Sequence, residues 1–177
     1  MNNLKPIMFL VPVIALTLVI ILYFYLLKQS THKETFKLFA FRVAILAFLL
    51  NFAWEIMQMP LYQGSSYSIS SIGFCALASV ADAIMVLLLY FGFTLILKNM
   101  FWVESPNTLQ IIVVILIGGI GAILSEMRHL SLSSWVYDNS MPIIPYVNVG
   151  ISPVIQFMIL PLLTYFLSFR GFKKYLT

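Results

Sequence analysis

Four polar side chains recur at regular intervals inside an otherwise apolar stretch: Asn51, Glu55, Gln58 and Tyr62. They belong to the run Asn51-Phe-Ala-Trp-Glu-Ile-Met-Gln-Met-Pro-Leu-Tyr62, and their offsets of +4, +7 and +11 put them on one face of a helix. Hydrocarbon cannot satisfy such a face, so another helix, water or a ligand must. Cys75, Ser79 and Asp82 form a second set, at +4 and +7. Asn148, Ser152 and Gln156 form a third, repeating every four residues. A further apolar run ends in Glu126-Met-Arg-His129.

Glu55 and Asp82 are the candidate catalytic acids. A carboxyl at depth pairs, hydrogen-bonds or exchanges a proton, and acids inside a membrane are functional by default. The plain alternative is a structural clamp, with Glu55 bonded to an amide across helices. Asn51, Gln58, Tyr62, Glu126, His129, Trp135, Tyr137 and Gln156 are candidates for contact with a substrate. Glu126-x-x-His129 has the i, i+3 spacing of a carboxylate–imidazole metal pair, but a di-metal bundle needs a second such pair and the chain has none. Metal is therefore not assigned. Cys75 has no evident activating base and reads as a small buried hydrophobe.

The elements that must position these groups are membrane spans. The chain has 177 residues, 62% hydrophobic and 9% charged, against about 25% charged in soluble domains. That excludes an ordinary soluble domain and predicts an all-α integral membrane bundle of five transmembrane helices, one domain over residues 1–177. The expected spans are residues 6–27, 40–61, 72–97, 109–126 and 148–168. The first exceeds the usual signal-peptide core and has no small-residue cleavage site after it, so it reads as a retained span. Residues 28–37 read as a polar loop, residues 63–71 as a flexible Ser-rich connection, and residues 130–147 as an ordered loop in the interface. Trp54, Trp102 and Trp135 fall near span boundaries, where belt anchoring accounts for them. Gly118 and Ala122 form a small-xxx-small packing face. Pro153 and Pro161 fall inside span five, where membrane helices tolerate them.

The net charge of +4 does not indicate nucleic acid, because the basic residues sit at the ends of apolar runs. Lys28, Lys33, Lys37, Arg42, Lys98, Arg170, Lys173 and Lys174 fall on one side, and Lys5 and Arg128 on the other. The positive-inside rule then puts the N-terminus outside and the C-terminus in the cytoplasm. Placed by depth, Glu55, Gln58, Cys75, Ser79, Glu126, His129 and Gln156 converge in the outer halves of spans two to five, with Asp82 somewhat deeper. The prediction is one outward-facing polar pocket. Glu55 and Asp82 differ in depth by about 5 Å at 1.5 Å per residue. Two acids that close in low dielectric act as a pair sharing one proton.

The residues Asn51, Trp54-Glu55, Gln58 and Pro60-Leu61-Tyr62, followed by Cys75 and Asp82, resemble a pattern in small bacterial polytopic membrane proteins of uncharacterised activity. The resemblance extends through Trp135, Met141-Pro142, Pro145, Gly150, Pro153 and Gln156. In those proteins the third-span motif reads closer to His-Cys-x-x-Gly-Asp, whereas here Phe74-Cys75 and Ala81-Asp82 stand further apart. It implies a bacterial inner-membrane location and supports the fold and the pocket. The Trp54-Glu55 pair and a second acid are also similar to membrane-embedded terpene cyclases, which have more spans. That similarity implies that one acid protonates an olefin or epoxide while aromatics shield a cation.

The sequence thus predicts a membrane protein whose pocket serves acid–base chemistry on a lipid or isoprenoid substrate. The alternatives are a small proton-coupled carrier, or an accessory subunit with a purely structural polar clamp. Its partners are membrane lipids; cofactor and oligomeric state are not assigned.

Overall fold

Local signals set where each helix starts and stops. In the computed structural model, which describes residues 6–171, a short 3-10 turn over Pro6–Phe9 leads into α1 (Leu10–Gln29). Only Ser30, Thr31 and His32 separate it from α2 (Lys33–Gln58). Of the charges that read as a loop, Lys28 is in the last turn of α1, and Lys33, Glu34 and Lys37 are at the start of α2. Glu34 there favours the helix N-terminus, and it pairs with Lys37 at 2.7 Å. Pro60 then tightens the chain into a 3-10 turn over Met59–Leu61. Ser68 caps α3 (Ile69–Leu97) by accepting from Ser71 N. Asn107 and Gln110 form a reciprocal capping box at the start of α4 (Thr108–Ser131).

The segment after α4, expected as an ordered loop, carries a short hairpin at its end. β1 (Ile143–Ile144) pairs antiparallel with β2 (Val149–Gly150), and α5 (Ile151–Arg170) follows directly. Asn148 therefore does not continue the α5 stripe. It turns the hairpin with φ 53°, a left-handed conformation that Asn tolerates well. Pro153 falls in the first turn of α5, where its missing N–H has no intrahelical role.

All five helices are long and apolar enough to cross a membrane, which makes this a polytopic membrane protein with an all-α bundle. α3 packs between α1 and α2, and α5 between α2 and α4. Among the described residues, α3 and α4 share no comparable interface. At the end where α2 begins and α3 and α5 finish, an aromatic core closes the bundle around Phe36, Phe39, Tyr90, Trp102 and Tyr165. Trp102 is 3% exposed and stacks on Phe93 at 5.1 Å. It is a core residue, not an interfacial anchor. Lys5, Lys173 and Lys174 lie outside the described residues.

α4 and α5 approach unusually closely. Pro161 has no N–H to give the carbonyl of Phe157, four residues earlier. That oxygen faces Gly118, where a Cβ would lie only 2.1 Å from it. The missing side chain at Gly118 is what lets the helices meet, so this small-residue face serves packing.

Candidate functional site

At the other end of the bundle lies a cavity of about 540 Å³. Its walls come from the end of α2, from α3 between Phe74 and Leu89, from α4 between Ile117 and His129, and from the start of α5. Phe9, Val11 and Pro12 of the N-terminal segment complete them. Leu77 and Val80 of α3, with Ile117 and Leu124 of α4, line it and are exposed apolar side chains. The cavity thus lies between α3 and α4, which share no comparable interface among the described residues, with the N-terminal segment beside it.

Its polar wall is organised by Gln156, 1% exposed on α5. The Gln156 Nε2 group faces three acceptors: Asn51 Oδ1 at 2.9 Å, Asp82 Oδ2 at 3.2 Å and Glu55 Oε1 at 3.3 Å. One amide from α5 thus joins two residues of α2 to the acid of α3. A relay of donors also runs toward Glu55. Trp54 Nε1 donates to Ser152 Oγ at 3.3 Å, Ser152 Oγ to Gln58 Oε1 at 2.7 Å, and Gln58 Nε2 to Glu55 Oε1 at 2.7 Å. Gln58 Nε2 also reaches Gln156 Oε1 at 3.2 Å. Each amide is oriented by its neighbours, and the hydrogens converge on the carboxyls. Trp54 is part of this network, not only a boundary residue. Ser79 spends its hydroxyl on Cys75 O at 2.7 Å, and Cys75 Sγ faces Glu55 O at 3.8 Å.

A second polar group lies at the end of α4, which runs to Ser131, so Glu126 and His129 are both helical. Glu126, 7% exposed, accepts at Oε2 from Trp135 Nε1 at 3.1 Å and from the Tyr137 hydroxyl. His129 stacks on Trp135 at 4.2 Å, and its Nδ1 meets Ser134 Oγ at 3.3 Å. The two loops at this end are stitched together. Gln63 N donates to Val136 O and Asp138 N to Leu61 O, each at 2.9 Å, and Tyr62 bridges Tyr137. Tyr62 has left the helix and is extended, yet it lines the cavity beside Trp135. Burial pushes the Tyr62 and Tyr137 phenols above their ordinary range, and the Glu126 carboxylate adds to it, so both keep their protons. The exposed Asp138 carboxyl is held below its ordinary value by the Ser140 N–H and hydroxyl, which fixes the turn before β1.

Of the residues singled out from sequence, Glu55, Gln58, Tyr62, Asp82, Glu126, His129, Trp135 and Gln156 all line this cavity. Asn51 is buried behind it, with Nδ2 on Ala47 O, and Tyr137 supports Glu126 from the loop. His129 turns to Trp135 and Ser134, so Glu126 and His129 do not form a chelating pair. Among the described residues, no three His, Cys, Asp or Glu side chains gather as metal ligands would. Sequence reasoning missed Ser65 and Arg128, which also line the cavity. A lone cation at the polar end of the bundle was the available signal for Arg128. No protein-family model, curated protein or solved structure matches this chain.

Proposed function

We propose that this protein is an intramembrane enzyme acting on a lipid or isoprenoid by acid–base chemistry. Glu55 and Asp82 are its working acids and Gln156 is the residue that positions them. The carrying observation is the Gln156 amide joined to both carboxyls on the wall of a largely apolar cavity. Acids with no cationic partner inside an apolar cavity are costly to keep, and proton transfer is the chemistry they offer.

On an isoprenoid, one carboxyl gives its proton to a double bond or epoxide and becomes a carboxylate. The resulting cation lies against the rings of Tyr62 and Trp135. Loss of a proton from the adjacent carbon to a carboxylate restores the acid, so protons balance over the cycle. The packed aromatic core beyond the cavity favours this reading over a carrier, which needs a path to the other side. In the membrane, the reading places the cavity on the extracytoplasmic side of a bacterial inner membrane.

Comparative mass spectrometry of lipid extracts tests it. Membranes with the wild-type protein are expected to convert a lipid or isoprenoid species that membranes with Glu55→Gln or Asp82→Asn leave unchanged. Identical extracts from all three would refute the enzyme reading.

A further inference from the structure

The acids account for one part of the cavity wall and leave another unexplained. Among the described residues, five buried side-chain donor atoms have no hydrogen-bond partner. Two of them, Arg128 Nη1 and Ser65 Oγ, belong to residues lining this cavity. A buried donor without an acceptor is costly, and a charged one more so. Arg128 also has no carboxylate partner: the only ion pair among the described residues is Lys37–Glu34. Glu126, two residues away on α4, is committed to Trp135 and Tyr137 instead. Among the described residues, the one hydrogen bond of the Arg128 guanidinium is from Nη2 to the Ile7 carbonyl at 2.6 Å. It pins the N-terminal segment, whose Phe9 lines the same cavity.

Both donors belong to the end of the bundle where α2 gives way to α3 and α4 finishes. The apolar part of the cavity, between α3 and α4, runs from there along the bundle. We propose that Arg128 and Ser65 form a headgroup site for the phosphate of an amphiphile whose chain lies in this apolar part of the cavity. A phosphate supplies the acceptor oxygens these donors lack, and a guanidinium matches its geometry with two N–H groups. The phosphate displaces the Ile7 carbonyl from Nη2, which frees the N-terminal segment as the ligand enters. Anchoring at Arg128 leaves the chain to pass the Gln156 cluster. The inference rests on the lipid-site reading above and narrows its substrate to a phosphate-bearing class.

Native mass spectrometry of the full-length protein in detergent tests this with three probes: geranyl phosphate, geraniol and inorganic phosphate. Geranyl phosphate is expected to bind about ten- to a hundredfold more tightly than geraniol, as one charge-assisted hydrogen-bond set would give. Arg128→Gln is expected to erase that preference while geraniol still binds. Arg128→Lys is expected to keep most of it, and Ser65→Ala to reduce it. Equal binding of geranyl phosphate and geraniol would overturn the headgroup site and leave the lipid cavity standing. So would an unchanged preference in Arg128→Gln. Binding of inorganic phosphate as tight as geranyl phosphate would overturn the amphiphile. Binding of none of the three would overturn both readings. The wild-type ratio decides the matter even if Arg128→Gln fails to fold.

Discussion

Gln156 and Asp82 lie 74 positions apart in the chain, yet the amide nitrogen of one stands 3.2 Å from a carboxyl oxygen of the other. The same nitrogen meets Glu55 at 3.3 Å and Asn51 at 2.9 Å. An amide nitrogen carries two hydrogens, and here it faces three acceptors. Gln58 Nε2 also donates to Glu55 Oε1 at 2.7 Å, so the hydrogens of the two amides can serve every acceptor of the cluster. The shared proton of the paired-acid proposal is a matter for the spectroscopic test below.

The near-isosteric changes Glu55→Gln and Asp82→Asn are expected to leave expression and fold intact. Each is expected to lower turnover by about 10²–10⁴-fold, the usual contribution of a general acid or base. Infrared spectroscopy checks the shared proton. A protonated-carboxyl band at neutral pH is expected in the wild type and lost in one of the two variants. Its absence from the wild type would rule the shared proton out.

Gln156→Met keeps the volume and removes every hydrogen bond of the hub. Asn51 Oδ1, Asp82 Oδ2 and Gln58 Nε2 then each lose a partner. Unsatisfied buried groups cost about 1–3 kcal/mol each. Thermal unfolding in detergent is expected to show a clear drop in Tm. A variant as stable as wild type would mean that the hub is not formed in solution.

Two neighbouring glycines on α4 should respond oppositely to alanine. At Gly118 the new Cβ would meet backbone, Phe157 O at 2.1 Å, so α4 and α5 must separate. Overpacking of this kind costs about 1–3 kcal/mol. At Gly121 nothing lies within 4 Å of the new Cβ, and Gly121→Ala should be tolerated. Paired melting curves of the two variants check this, and equal losses would refute the close α4–α5 approach.

The orientation can be read with reporters. One fused after Thr177 is expected to be active in the cytoplasm, and one inserted near Ser66 to report the extracytoplasmic side. The reverse pattern would move the cavity to the cytoplasmic side without altering its chemistry.

The sequence alone determined the class of fold and most of the polar wall. Five apolar runs long enough to span a bilayer admit few structures other than helices, because lipid satisfies no backbone group. Asn51, Glu55 and Gln58 stood out because polar side chains at helical spacing are conspicuous against an apolar background. Contacts made by irregular backbone were not legible in the same way. Tyr62 reaches the cavity from an extended segment, and Asn148 turns a hairpin that no periodicity announces. Trp102 looked interfacial by position but is core, since position along a chain does not reveal which side of a helix end is covered. Only the tertiary structure decided which partners each polar group finds. Gln156 became the hub because α5 packs between α2 and α4 and carries its amide to acids from two other helices. Arg128 and Ser65 emerged as a pair only when the fold left both without acceptors beside one cavity. Hydrogen bonds act over a few ångströms, and which groups come that close is set by packing between distant segments rather than by their spacing in sequence.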